Sequence, residues 1–223
     1  MTDSTRRREL LRAIASLGAA GVSGWISDAL AAGDVPATPG INRLEGTATV
    51  NGKPARVGTP VNLGDRVETG AQGRAVVVLK GDAFLLHPRT VIEVRGRDGL
   101  LTDMAIASGK VLSVFAKKPL AIKAATASIG IRGTGAYIEV EPNEVYFCLC
   151  YGEALLEVPG VPSRLVKTTH HEEPLLVTGV AGQPGIVKGP FRNHTDDELT
   201  MLEALVGREP PFTKDGKYPL NRY

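Results

Sequence analysis

The residues best suited to chemistry are the two cysteines of the chain, Cys148 and Cys150, which stand two positions apart. The segment 145–150 is rich in Val, Tyr, Phe and Leu and predicts a β-strand, in which alternate side chains point to the same face. Both thiols are therefore expected on one face of the strand, together with Tyr146. The opposite face is expected to carry the remaining side chains, Val145, Phe147, Leu149 and Tyr151.

Two thiols in this arrangement suit a shared metal ion better than a disulfide. In an extended strand the Cβ atoms of residues i and i+2 are too far apart for a disulfide, which needs about 3.5–4.5 Å. Two thiolates on one ion tolerate a wider separation, because each Zn–S bond is about 2.3 Å long. Nitrogen ligands follow at His170, His171 and His194, and thiolate and imidazole together suit zinc or copper.

The sequence thus predicts a site for one zinc or copper ion, made of Cys148, Cys150, His194 and one of His170 and His171. Adjacent residues of a regular strand point to opposite faces, so at most one of the two neighbouring histidines would join unless they lie in a loop. A Glu-Glu-Pro sequence follows them directly and favours a loop.

Simpler interpretations of the same residues stay open at this level. Buried cysteines often act as small apolar side chains, and a disulfide is a third possibility for the pair. His170 and His171 also fit a solvated acidic turn, and His194 fits a position that packs on Leu199 at the start of a helix. His87, which is followed by a proline, is predicted to be a turn residue. The Cys-x-Cys spacing alone does not decide between packing and metal binding.

No group of residues predicts catalysis. A hydrolase would need a serine or aspartate placed with a histidine, and none of the four serines considered stands in a nucleophile-elbow sequence. These are Ser108, Ser113, Ser128 and Ser163. We therefore expect a protein that is not an enzyme and rank a hydrolase last.

Composition indicates a β-rich fold with one main core. The chain has 223 residues, of which 43% are hydrophobic, enough to bury a single sizeable core. Its 26 glycines and 15 prolines suit a fold with many tight turns. The net charge of +2 gives no reason to expect binding to nucleic acid or to an anionic membrane surface.

Residues 1–31 have the pattern of a twin-arginine export signal. The sequence Arg-Arg-Glu-Leu-Leu-Arg at 7–12 precedes an uncharged stretch at 13–27, and Ala29 and Ala31 supply the small residues that a signal peptidase reads. The uncharged stretch is shorter than the ~20 apolar residues that a membrane span requires. We expect cleavage near Ala31, no stable membrane span and a periplasmic location.

Short strand-like segments follow a proline-containing linker at 32–43. They recur every ~8–12 residues over 44–180, which predicts a mainly β fold, a sandwich or roll of many short strands. At its centre a hairpin is predicted from strands 137–140 and 145–150, joined by the turn 141–144. The predicted strands on either side of it include 100–107, 111–115 and 154–158.

A C-terminal extension, 181–223, is predicted to contain one short helix at 195–206. Thr195 and Glu198 form the pattern of a capping box at its start. Leu199, Leu202 and Leu205 fall on one helical face, which we expect to pack on the β domain.

Three glycine-punctuated strings resemble the FecR domain, named for the iron-dicitrate transport regulator. The string GTPVNLGDRVETGAQGRAVVVL at 58–79 is similar to its opening half, and TASIGIRGTGAYIEV at 126–140 with YGEALLEV at 151–158 is similar to its closing half. The resemblance implies an extracytoplasmic β domain for binding or signalling, without catalytic residues to carry over. Signalling members carry a cytoplasmic anti-sigma segment and a membrane span before the domain, where this chain has the predicted export signal.

The resulting hypotheses fall into three classes. The first is an exported FecR-like module for binding, scaffolding or signalling, whose partner is another periplasmic protein or a cell-envelope glycan. The second is a periplasmic metal-binding protein that uses the Cys-x-Cys and histidine residues. The third is the hydrolase.

Overall fold

The computed structural model describes residues 22–31, 37–179 and 183–213. These residues form a mostly β structure with two helices, α1 (Val22–Ala31) and α2 (Asp196–Leu205), and a short 3-10 turn at Pro211–Thr213. The predicted mainly β fold with a short C-terminal helix is confirmed. Within the described ranges the strands are β1 Gly40–Glu45, β2 Ala48–Val50, β3 Lys53–Pro54, β4 Arg66–Thr69, β5 Arg74–Leu79, β6 Asp82–Leu86, β7 Val91–Arg97, β8 Leu100–Val114, β9 Pro119–Ala124, β10 Ala127–Arg132, β11 Gly135–Glu141, β12 Glu144–Val158, β13 Val161–Thr168, β14 Leu175–Thr178 and β15 Gly185–Lys188.

The strands belong to two sheet sections that share β8 and β12. The first section runs in the order β1-β5-β6-β8-β11-β12-β14-β15, and every neighbouring pair in it is antiparallel. The second runs β3-β2-β4-β7-β8-β9-β10-β12-β13, and only its β8–β9 pair is parallel. The shared strands therefore connect the two sections through continuous backbone.

Each shared strand changes section at a glycine. Gly109 in β8 and Gly152 in β12 have φ of 90° and 101°, a region that side chains with a Cβ rarely adopt. A Cβ on Gly109 would also lie 2.5 Å from the Cα of Thr90. The sequence predicted separate strands at 100–107 and 111–115, and at 145–150 and 154–158. That prediction was wrong. It assumed that each glycine ends a strand, whereas each of them bends a strand that continues.

The predicted central hairpin is confirmed as β11 and β12, with Val140 opposite Val145 and Glu141 opposite Glu144. Near its open end the register shifts, so that Gly135 pairs with Tyr151 and Ala136 pairs with Leu149. The extra residue of this β-bulge changes the alternation of β12. Tyr151 consequently lies on the same side as the cysteines, and its predicted place beside Val145 was wrong.

The first sheet section is buried on both faces. Its inner face contributes Phe84 and Phe147 to a large apolar core that also contains residues of the second section, such as Ile92 and Ile122. Its outer face carries a second core, which includes the two cysteines and the side chains of both helices. The functional residues therefore lie between the first section and the C-terminal extension.

Helix α2 packs on this outer face as its sequence pattern predicted. Leu199, Leu202 and Leu205 are at most 4% exposed and belong to the second core. The capping box is confirmed, since Thr195 Oγ1 accepts from the Glu198 N–H and the Glu198 carboxylate accepts from the Thr195 N–H. The helix is thus fixed at its first turn and along its apolar face.

The predicted export signal is only partly covered by the described residues. Residues 1–21, with the paired arginines, lie outside them, whereas α1 covers the end of the segment and buries Ile26 and Ala29 against the second core. β1 begins at Gly40, so the predicted linker at 32–43 extended too far. In the part of the chain that is described, neither helix has the length and apolar character needed to cross a membrane.

Candidate metal centre

Four predicted ligands meet at one point on the outer face of the first sheet section. Cys148 and Cys150 project from β12, His171 follows β13, and His194 lies just before α2. One ligand atom from each residue lies within 4.8 Å of those of the other three. All four side chains are buried, with residue exposures between 0% and 4%.

Two separations between these atoms match the edges of a small tetrahedron. Cys148 Sγ lies 3.5 Å from His171 Nδ1, which in turn lies 3.2 Å from His194 Nε2. An ion with Zn–S bonds of about 2.3 Å and Zn–N bonds of about 2.05 Å has sulfur–nitrogen edges of about 3.6 Å and nitrogen–nitrogen edges of about 3.3 Å. One tetrahedral ion could therefore contact these donor atoms without large movement of the side chains.

The ring of His194 is oriented by its backbone surroundings. Its Nδ1 lies 2.8 Å from the carbonyl oxygen of Arg192, and a carbonyl only accepts, so Nδ1 carries the proton. In the neutral ring Nε2 then presents its lone pair to His171 and the cysteines. Tyr137 stacks on the ring at a centroid distance of 4.4 Å and holds its plane.

The ring of His171 is oriented by a carboxylate. Its Nε2 lies 3.1 Å from Asp196 Oδ1, so this nitrogen donates and Nδ1 faces the cluster. A positive φ of 55° at His171 turns the chain, and its N–H donates to the Cys150 carbonyl over 3.1 Å. That carbonyl belongs to the bulged residue of β12, so the bulge helps to anchor the histidine loop.

If His171 and His194 were both neutral in these tautomers, the lone pairs of His171 Nδ1 and His194 Nε2 would face each other across 3.2 Å. Such an arrangement is repulsive unless a proton or a cation lies between the nitrogens. Burial works against a charged His171 ring, but hydrogen bonding to Asp196 and Cys148 outweighs it and raises the pKa of His171, which favours a proton between the two nitrogens. A metal ion would replace that proton.

The two thiols differ in their acidity. A hydrogen bond from Cys150, supported by bonds from the two histidines, lowers the pKa of Cys148 well below its usual range. Burial, together with the thiolate of Cys148, raises the pKa of Cys150. Cys148 is therefore the first thiolate available to a metal, and binding through both sulfurs displaces the Cys150 proton.

His170 does not join the four-residue group, although it was one of the predicted candidates. Its Nε2 lies 2.9 Å from both carboxylate oxygens of Asp196, and Asp196 in turn contacts His171. Sequence reasoning missed Asp196, because an acidic residue in the first helical turn is explained equally well by the helix dipole. Only the fold shows that this carboxylate faces two histidines.

The turn that holds the two histidines is built by Glu172. Its carboxylate accepts from the N–H groups of Thr169 and His170 over 2.7 and 3.2 Å. The acidic residues after the histidines thus do form a tight loop, as their sequence suggested. The loop directs both rings inward, with His170 3% and His171 4% exposed. The interpretation of these two histidines as solvated polar residues is therefore wrong.

The sequence matches no protein-family model, and no curated protein matches it. Two crystal structures of a candidate anti-sigma factor from Parabacteroides distasonis, at 2.50 and 1.65 Å resolution, share 14% and 15% identity with this chain, with TM-scores of 0.47 and 0.46. Each match covers 56% of this chain and 58% of the other.

Proposed function

We propose that this protein is an exported metal-binding protein, in which a zinc or copper ion is held by Cys148, Cys150, His171 and His194. The observation that carries the proposal is the convergence of two buried sulfurs and two oriented ring nitrogens within 4.8 Å of one another. One sulfur–nitrogen and one nitrogen–nitrogen separation, 3.5 and 3.2 Å, fit the edges of a tetrahedral site. FecR-like strand patterns and the predicted export signal support a periplasmic β domain as the setting of this centre.

The energetics of burial support a metal more than a purely structural cluster. Polar and ionisable groups taken out of water are costly unless they are paired or coordinate a metal. Two thiolates and two neutral imidazoles around a divalent ion give a centre with no net charge. Without the ion the same space holds two cysteines and two histidines, where hydrogen bonding lowers the pKa of Cys148 and burial raises the pKa of Cys150.

The ligand set favours a structural centre. Sites with four protein ligands leave no position for water or substrate, in contrast to catalytic zinc sites, which keep one position open. The ligands come from β12, from the loop after β13 and from the segment before α2. A bound ion would therefore fasten the C-terminal extension to the central hairpin.

The proposal is tested by metal analysis of protein purified from its native periplasm without chelators. We expect one equivalent of zinc or copper in the wild type and a loss of at least tenfold in Cys148→Ser and His194→Gln. His87→Gln is the matched control, since His87 is also buried but lies outside the group. Its metal content should equal that of the wild type.

Two results would refute the centre. One is metal-free wild-type protein that also binds neither zinc nor copper on titration. The other is an equal metal content in the wild type and in Cys148→Ser. A visible thiolate-to-copper absorption band would distinguish copper(II) from colourless zinc.

A binding module remains the second candidate, because one exposed patch favours it. Leu155 and Leu165 face each other across β12 and β13 and are 38% and 55% exposed. A paired apolar patch on a sheet suits a protein partner better than a polar glycan. Leu165→Lys should abolish crosslinking to a periplasmic partner and leave metal content unchanged; unchanged crosslinking would exclude this patch.

A further inference from the structure

We propose that Asp196 and His170 form an outer hydrogen-bonded pair that fixes His171 as a metal ligand and sets the affinity of the centre. This inference rests on the proposed function and names residues that would act on the metal without touching it. It assigns to Asp196 and His170 a positioning role, and it excludes a second ion between them.

The contacts run without a break from the centre outward. His171 Nδ1 faces Cys148 and His194, its Nε2 donates to Asp196 Oδ1 over 3.1 Å, and His170 Nε2 lies 2.9 Å from both oxygens of the same carboxylate. A carboxylate on the far nitrogen of a metal-bound imidazole fixes the tautomer, orients the ring and makes the ligating nitrogen more basic.

Each residue in this series of contacts is fixed by the fold. The side chains of His170, His171 and Asp196 are at most 1% exposed, so water cannot replace the hydrogen bonds between them. Asp196 is the first residue of α2, where the capping box sets the direction of the backbone. Phe212 packs on the His170 ring at a centroid distance of 4.3 Å and holds its plane.

The same three residues could be taken for a second metal site, but their contacts are accounted for without one. The observed nitrogen–oxygen distances of 2.9, 2.9 and 3.1 Å are those of direct hydrogen bonds from two ring N–H groups to one carboxylate. A second ion would also require His171 to lose both ring protons and bridge two metals.

The test compares Asp196→Asn with Asp197→Asn. Both changes remove one negative charge from the first turn of α2, but Asp197 belongs to neither group of clustered ligands. Zinc affinity is measured by competition with a chromophoric chelator on full-length protein. We expect about a 10- to 100-fold loss for Asp196→Asn and less than about a twofold change for Asp197→Asn.

His170 is tested by a conservative and a disruptive replacement. His170→Gln keeps a side-chain N–H that can reach Asp196 and should retain most of the affinity. His170→Leu removes that donor and should lose about tenfold. Cobalt(II) replaces zinc as a spectroscopic probe, and we expect its ligand-field bands to shift in Asp196→Asn and to stay unchanged in Asp197→Asn.

The outcomes separate this inference from the proposed function. If wild-type protein binds no metal, the centre itself is refuted and the positioning role falls with it. If the wild type binds metal but the two aspartate variants have equal affinity and equal cobalt spectra, only the positioning role is refuted. Two equivalents in the wild type and one in Asp196→Asn would show a second metal site instead. Urea titration of the metal-free variants measures their free energies of unfolding and so distinguishes a loss of folding from a loss of metal affinity.

Discussion

We predict that His87 makes the free energy of unfolding of this protein depend on pH, and that the substitution His87→Gln removes this contribution. The residue follows β6, and its ring is buried with its edge against Tyr137 at a centroid distance of 5.9 Å. Its Nε2 is buried and has no hydrogen-bond partner among the described residues. Burial, together with the charges of Arg74 and Lys110, lowers the pKa of His87 to about 4.

The direction and size of the effect follow from this shift. In the unfolded chain His87 takes up a proton near its ordinary pKa of 6.5, whereas in the folded protein it stays neutral down to about pH 4. Between these values the unfolded state binds more protons, so the free energy of unfolding falls as the pH falls. Because one pKa unit corresponds to about 1.4 kcal/mol, the contribution of His87 to this loss is about 3 kcal/mol between pH 7.5 and 4.

The assay is a series of urea titrations of wild type and His87→Gln from pH 7.5 to 4. A chelator is present throughout, so that release of metal at low pH does not contribute to the difference. Glutamine keeps a polar side chain but cannot take up a proton, so the variant should lose about 3 kcal/mol less than the wild type over this range. If the two proteins show the same slope between pH 6.5 and 4, His87 is protonated in the folded state and the reasoning is wrong.

Three further changes test the centre, the helix and the export signal. Zinc at a thousandfold excess over its dissociation constant should stabilise the wild type by about 4 kcal/mol and raise its melting temperature by about 8 to 16 °C. The Cys148→Ser variant should show no such rise in melting temperature. An equal rise in both proteins would mean that the ion binds elsewhere. Leu202→Ala should cost about 2–5 kcal/mol in a urea titration, because Leu202 is fully buried on the sheet, and a loss below about 0.5 kcal/mol would contradict its packing. Replacing Arg7 and Arg8 together by lysine should leave precursor in the cytoplasm on fractionation, and export at the normal level would exclude the twin-arginine route.

The part of the centre that lies on a strand could be predicted from the sequence. Alternation along β12 up to the bulge places Cys148 and Cys150 on one face, and the four-residue turn joins the hairpin in the predicted register. Choosing between His170 and His171 was not possible, because the choice depends on a positive φ at His171 that its residue type does not signal. The loop, more than the strand, decides which ring faces the thiols.

Long-range features were predicted less well, for reasons that concern the backbone. A glycine with φ near +90° can end a strand or bend one, and the sequence around Gly109 and Gly152 does not distinguish these cases. The bulge opposite Ala136 shifted Tyr151 to the other face, because one extra residue reverses an alternation of period two. Such irregularities depend on contacts with distant strands, which a local pattern does not contain.

The burial of ionisable side chains beside the helices supports a metal centre more strongly than the cysteine spacing does. The core beside the helices contains both cysteines, and His171 and His194 are buried next to them. A cluster of this kind is unfavourable to bury without an ion and becomes neutral with one. All four ligands are nearly inaccessible to water, so an ion could bind while the chain folds around it or during brief opening of the folded protein. Under the proposed twin-arginine route folding precedes export, so an ion bound during folding would be selected in the cytoplasm, although the proposed location of the protein is the periplasm.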